Sequence, residues 1–133
     1  VMAAGYQEAI LLDAQGYIAE GSGENIFVVK RGRIATPPLG GSLLSGITRA
    51  TIVTLCGELG LAIEERPISR DELYIADELF FTGTAAEVTP VREVDDRRVG
   101  SGSRGPITKR VQDSFFSVVR GPELPHPEWL TFV

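Results

Sequence analysis

The chain has 133 residues, 43% of them hydrophobic and 23% charged, with a formal net charge of −5. That length suffices for one domain with its own core, and that balance excludes a disordered segment. The acidic charge argues against a nucleic-acid partner, whose phosphates need a positive field, and the lack of a long apolar run or signal pattern argues against a membrane role.

Glu8 to Asp13 (EAILLD) reads as a short strand and Tyr17 to Glu20 as a second, joined by a turn through Ala14-Gln15-Gly16 into a hairpin. Asn25 to Lys30 (NIFVVK) is an apolar strand that Arg31-Gly32 turns into Arg33 to Thr36. Pro37, Pro38, Gly40 and Gly41 break the pattern and give a long loop up to Ser45. From Ile47 to Leu59 apolar residues recur at helical spacing, with Val53, Cys56 and Leu59 on one side and Ile52 and Leu55 adjoining; Gly60 is a natural stop. Leu61 to Arg66 alternates as a strand, and Ser69 opens a short helix whose capping box is completed by Glu72. Glu78 to Thr82 (ELFFT) reads as a buried strand ending at Gly83-Thr84, and Val88 to Val94 as one more strand. After the charged turn Asp95 to Arg98, Pro106 sits where a last helix would begin, with Ile107, Val111, Phe115, Val118 and Val119 as its inward stripe. Hairpin strands with two main helices predict a mixed α/β fold, a single domain over residues 1–133, and not a simple parallel βαβ array.

Cys56 is the only cysteine, so no internal disulfide can form, which points to a reducing, cytoplasmic setting. Its helical, apolar neighbours suit a packed thiol rather than a nucleophile. The one histidine, His126, lies between prolines in the tail and reads as a surface loop residue. This scarcity leaves no Ser–His–Asp arrangement and no His- or Cys-based metal site. Arg97, Arg98, Arg104, Lys109 and Arg110 gather basic charge, read here as a solvated face. Gly100 to Gly105 spells a literal GxGxxG. A dinucleotide site also needs a following strand and an acid at its end, and Glu123 lies instead in a proline-rich tail, so the glycines read as a loop.

Three loops follow strands: Glu20 to Asn25, Leu44 to Arg49 and Gly83 to Val91. The second opens a helix, whose first backbone N–H groups lack intrahelical partners and with the dipole favour an anion. Gly46 would let a phosphate approach closely, and Thr48 adds a hydroxyl; alternatively Ser45 or Thr48 simply caps the helix. Gly83-Thr84 could serve a tight turn or present N–H groups to a ligand.

GYQEAILLD at Gly5 to Asp13, GYIAEGSGENIF at Gly16 to Phe27, LLSGITRATI at Leu43 to Ile52, SRDELYIADELFFTGTAAEVTPV at Ser69 to Val91 and GPITKRVQDSFF at Gly105 to Phe116 resemble branched-chain amino-acid transaminases of the pyridoxal-phosphate fold-type IV class. The resemblance runs in order through nearly the whole chain and weakens after Arg120. It implies the C-terminal pseudobarrel domain of that fold and pyridoxal 5'-phosphate as cofactor. By resemblance Glu20 is the carboxylate opposite the cofactor ring nitrogen, Leu44 packs on the ring, and Gly46, Ile47, Thr48, Gly83 and Thr84 surround the phosphate. Thr84 and Ala85 correspond to the amides that hold the substrate carboxylate; Glu24 and Asn25 mark the subgroup and shape their loop, and Arg49 receives no catalytic role.

The family's Schiff-base lysine would fall before Val1, and neither Lys30 nor Lys109 matches it. The start at Val1-Met2-Ala3 reads as an internal cut point. The expectation is therefore a parent enzyme that exchanges amino groups between branched-chain L-amino acids and 2-oxoglutarate as a homo-oligomer, and a chain inactive by itself. The alternatives are a D-amino-acid transaminase or aminodeoxychorismate lyase of the same fold, or a non-catalytic domain that binds a phosphate ligand.

Overall fold

The structure, a computed structural model, describes residues 1–40, 42–120 and 125–129. Glu123 and the rest of 121–124 lie outside the described residues, as does Gly41. The first hairpin pairs β1 (Ile10–Leu12) with β2 (Ile18–Gly21) antiparallel. Its turn is closed by the Asp13 carboxylate, whose Oδ1 accepts the N–H groups of Gln15 and Tyr17, each at 2.9 Å.

The central sheet is built from β3 (Asn25–Lys30), β4 (Arg33–Thr36), β5 (Ile63–Glu65), β6 (Glu78–Gly83) and β7 (Glu87–Pro90). Their spatial order is β5-β4-β3-β6-β7, and only β4 with β5 is parallel. That parallel pair is joined by α1 (Ile47–Glu58), a single crossover in an otherwise antiparallel sheet. The short α2 (Arg70–Ile75) precedes β6, and α3 (Pro106–Arg120) comes last. The expected mixed α/β architecture with two main helices is what forms.

Both faces of the sheet are covered, which explains why NIFVVK and ELFF are continuously apolar rather than alternating. Phe27, Val29, Ile34 and Phe80 pack under α1 and α3 with Ile52, Leu55, Cys56, Val111, Phe115 and Val118. Phe27 and Phe80 are register partners, and their rings stack 5.0 Å apart. On the other face Ile26, Val28, Leu79 and Phe81 meet Ile18, Ile68, Leu73 and Val99.

Several expectations are corrected. Val88 to Val94 is not one strand: β7 ends at Pro90, and β8 (Glu93–Val94) pairs with β9 (Arg97–Arg98) in a separate hairpin. Asp95 and Asp96, both at positive φ, make its two-residue turn, so the charged turn is shorter than the sequence implied. Leu61 to Arg66 contributes strand only over β5. In α1 the fully covered apolar side chains are Ile52, Leu55 and Cys56, while Val53 and Leu59 are half-buried. In α3 Thr108 is buried and Val119 is exposed, because the helix turns Val119 past the sheet. His126 is partly covered, stacked 3.8 Å from the Trp129 ring and hydrogen-bonded to Glu128. The basic residues Arg97, Arg98, Arg104, Lys109 and Arg110 do form an exposed face as expected, with Arg97 over Tyr74, Lys109 paired with Asp113 and Arg110 on the Leu59 carbonyl.

Candidate functional site

Every helix presents unpaired N–H groups at its start, and the three helices settle them differently. In α2 the Glu72 carboxylate accepts the Ser69 N–H at 3.0 Å, the expected capping box. Glu72 also takes a hydrogen bond from Arg66, which is the main reason its carboxyl is held below the usual range. In α3 the buried Glu78 carboxylate reaches across from β6 and accepts Ile107 N–H at 3.0 Å and Thr108 N–H at 2.7 Å. This occupies the end that the GxGxxG loop leads into. A Cβ on Gly105 would lie 2.1 Å from the Glu78 carboxyl carbon, so that glycine makes room for an internal anion rather than for a dinucleotide.

The third case is α1. Its N-cap is Gly46, at φ −74 and ψ 136, and no side chain caps it. The alternative in which Ser45 or Thr48 closes this helix is therefore not what forms. Arg49, in the first turn, points away: its guanidinium is 3% exposed, donates to the Pro37 carbonyl at 3.1 Å and pairs with Glu65 at 3.0 Å. It ties the helix start to the preceding loop and to β5, a role that the sequence did not disclose.

Contacts among the three loops radiate from the first. Glu20, at the end of the β1–β2 hairpin, uses Oε2 to accept the Leu44 N–H at 3.0 Å. Asn25 opens β3 and donates through Nδ2 to the Leu44 carbonyl at 3.0 Å. The same loop abuts the third: a Cβ on Gly83 would lie 3.2 Å from the Gly23 carbonyl oxygen. Glu20, Leu44, Gly46 and Gly83 are thus brought to one end of the central strands β3 and β6. Thr48 is buried, whereas Thr84 and Ala85 lie in the exposed turn between β6 and β7. Leu44 and Ile47 are 78% and 86% exposed, an unusual placement for two apolar side chains flanking one turn.

Glu8 is a further residue that sequence reasoning passed over, although it lies in the GYQE block. Its Oε1 accepts the Ala9 N–H at 2.7 Å and the Ser22 N–H at 3.0 Å, anchoring the first loop to the opening segment. The Ser22 hydroxyl is the largest influence holding the Glu8 carboxyl below its ordinary value. Glu24 shifts the other way, raised mainly by burial and then by the Glu8 charge. A cavity of about 710 Å³ lies beside these acids, walled by Ala9, Ile10, Phe81, Thr89 and Val91, and Glu24 borders it whereas Glu20, Thr48 and Thr84 do not.

Neither lysine pairs with a residue of the three loops. Lys30 ends β3 and pairs with Asp77 at 2.9 Å, while Asn25 begins it. Five residues of extended strand separate them by roughly 16 Å. Lys109 pairs with Asp113 along α3. Among the described residues no helix is long and apolar enough to cross a membrane.

The branched-chain-amino-acid aminotransferase of Pseudomonas aeruginosa is 57% identical over 129 residues, 97% of this chain and 42% of that protein. The probable branched-chain-amino-acid aminotransferase of Aquifex aeolicus is 57% identical over 128 residues, 96% of this chain and 41% of that protein. The chain therefore spans about two fifths of the length of these relatives. Among solved structures, a T.th. branched-chain amino acid aminotransferase complexed with N-(5'-phosphopyridoxyl)-L-glutamate superposes with a TM-score of 0.94 at 44% identity, over 99% of this chain and 45% of that one. The aminotransferase from Thermoproteus uzoniensis gives 0.93 at 50% identity, over 98% and 43%. The fold is that of the fold-type IV aminotransferases, and residues 1–94 match the amino-transferase class IV family, to which the chain belongs.

Proposed function

We propose that residues 1–133 form one unit that binds pyridoxal 5'-phosphate in a branched-chain amino-acid aminotransferase. The observation that carries this is the uncapped N-terminus of α1, held between Glu20 and Asn25, beside helices whose N-termini are closed by their own carboxylates. The donor set fits a phosphate ester: the Ile47 and Thr48 N–H groups, the Thr48 hydroxyl, Gly46 giving close access to the backbone, and Gly83-Thr84 at the end of β6. Thr82, the register partner of Asn25, buries a hydroxyl with no partner among the described residues.

When bound, the cofactor supplies an electron sink for a carbanion at the substrate α-carbon. The chain's residues orient and bias it. Glu20 keeps one oxygen on the Leu44 N–H, and its other oxygen is free to hold a proton on the ring nitrogen. Leu44 offers an apolar surface to the ring, and Thr84 and Ala85 offer backbone N–H groups to the substrate carboxylate. With Lys30 paired to Asp77 and Lys109 to Asp113, the lysine that such chemistry requires comes from outside these residues in this reading, and the 133 residues alone do not turn over substrate. The working enzyme is a homo-oligomer in this reading.

The test is transamination by the full-length protein. Turnover of L-leucine, L-isoleucine and L-valine with 2-oxoglutarate is expected. Preference for a D-amino acid, or lyase activity on aminodeoxychorismate, would move the protein to another branch of the fold. Turnover of L-leucine by residues 1–133 alone would refute the assignment of the lysine.

A further inference from the structure

We propose that Asn25 is a positioning residue that holds the turn Leu44–Gly46 in the shape that receives the cofactor phosphate, an inference that rests on the reading above. Asn25 is 5% exposed at the start of β3. Its Nδ2 fixes the Leu44 carbonyl at 3.0 Å, while the Leu44 N–H is fixed by Glu20, also at 3.0 Å. Both backbone polar groups of Leu44 are therefore gripped by residues of one loop. The group expected to sense the ring nitrogen and the turn expected to sense the phosphate are mechanically joined through Leu44.

Gly46 reports the tightness of this grip. Its φ of −74 and ψ of 136 suit any L-residue, so backbone freedom does not explain the glycine. Space does: a Cβ at position 46 would lie 2.3 Å from Asn25 Oδ1. The same amide that ties down Leu44 fills the volume that a larger residue at 46 would need. An aspartate at 25 would set a carboxylate oxygen against the Leu44 carbonyl and place a negative charge beside the anion-receiving N–H groups.

The experiment measures affinity of the full-length protein for pyridoxal 5'-phosphate and for pyridoxal, with melting temperature recorded for every variant. The ratio of the two affinities isolates the phosphate contribution. Wild type favours the phosphorylated form. Asn25→Ala is expected to lower the ratio roughly tenfold, as loss of one ordering hydrogen bond implies, and Gly46→Ala by a similar factor. In the double variant the new methyl enters space vacated by the amide, so its ratio falls no further than in Asn25→Ala alone. Asn25→Asp, close in shape to the native amide, is expected to lower the ratio at least tenfold and carries the test if Asn25→Ala does not fold. A merely structural asparagine would shift the melting temperature and leave the ratio unchanged. An unchanged ratio in the Asn25 variants, or additive losses in the double variant, would overturn the proposal. A wild type that does not distinguish the two compounds would instead overturn the cofactor reading beneath it.

Discussion

Glu78→Ala tests the contrast between α3 and α1. The carboxylate accepts two N–H groups at the start of α3, at 3.0 and 2.7 Å, and Thr108, whose N–H is one of them, is buried. Losing a helix cap costs about 0.5–2 kcal/mol, and losing a partly buried anion from the positive end of the helix dipole adds up to about 2 kcal/mol. With about 1 kcal/mol typical of each contribution, the expected destabilisation is about 2 kcal/mol and at most about 4 kcal/mol, read from the urea midpoint of the full-length protein. The variant should also acquire what the native chain denies, an open anion site beside Gly105. If inorganic phosphate binds there with a dissociation constant of about 10 mM, 100 mM phosphate returns about 1.4 kcal/mol. Phosphate stabilises many proteins non-specifically, so the readout is the excess gained by the variant over wild type at matched ionic strength. A loss below about 1 kcal/mol, or equal stabilisation of both proteins, would refute the argument that Glu78 is the internal anion of α3.

Glu20→Gln retains an oxygen for the Leu44 N–H but turns an amide toward the ring nitrogen, so the full-length protein should keep its cofactor affinity and lose roughly 10²-fold in kcat; equal losses in both would mean that Glu20 only shapes the loop. Cys56 is fully buried, and burial pushes its thiol up to about 11, so it should stay silent toward a disulfide reagent at neutral pH until the protein unfolds; prompt labelling of the native protein would contradict the packing. Glu72 is held below its ordinary value by Arg66, so its contribution is complete above the unfolded glutamate value of about 4.3 and is lost as pH falls through the folded value. Glu72→Ala should cost roughly 1–2 kcal/mol at neutral pH and flatten the acid limb of the stability profile; an unaltered acid limb would remove the Arg66–Glu72 pair from the account.

The parts of the fold that could be read along the chain are those decided locally. Asn25–Lys30 and Arg33–Thr36 appear as predicted because Arg31 and Gly32, both at positive φ, turn the chain within two residues. The Ser69–Glu72 box is likewise written over four adjacent positions. Strand order was not legible, since the parallel pairing of β4 with β5 depends on how α1 crosses the sheet. The break between β7 and β8 escaped the sequence reading because valines recur on both sides of it. At the site, the family blocks named candidate residues without saying what holds them in place. Gly46 and Gly105 both look like flexible glycines in sequence, yet each makes room for one side chain, Asn25 or Glu78, from a distant strand. Glu8 and Arg49 act through backbone groups whose proximity only folding creates.

The central claim is that a phosphate ester docks on the start of α1. Backbone amide NMR of the full-length protein, titrated with pyridoxal 5'-phosphate, tests it most directly. The account expects the largest shifts at Ile47, Thr48 and Thr84, with Ile107 and Thr108 unmoved because Glu78 already occupies their end of α3. Shifts at Ile107 and Thr108 in place of Ile47 and Thr48 would contradict it.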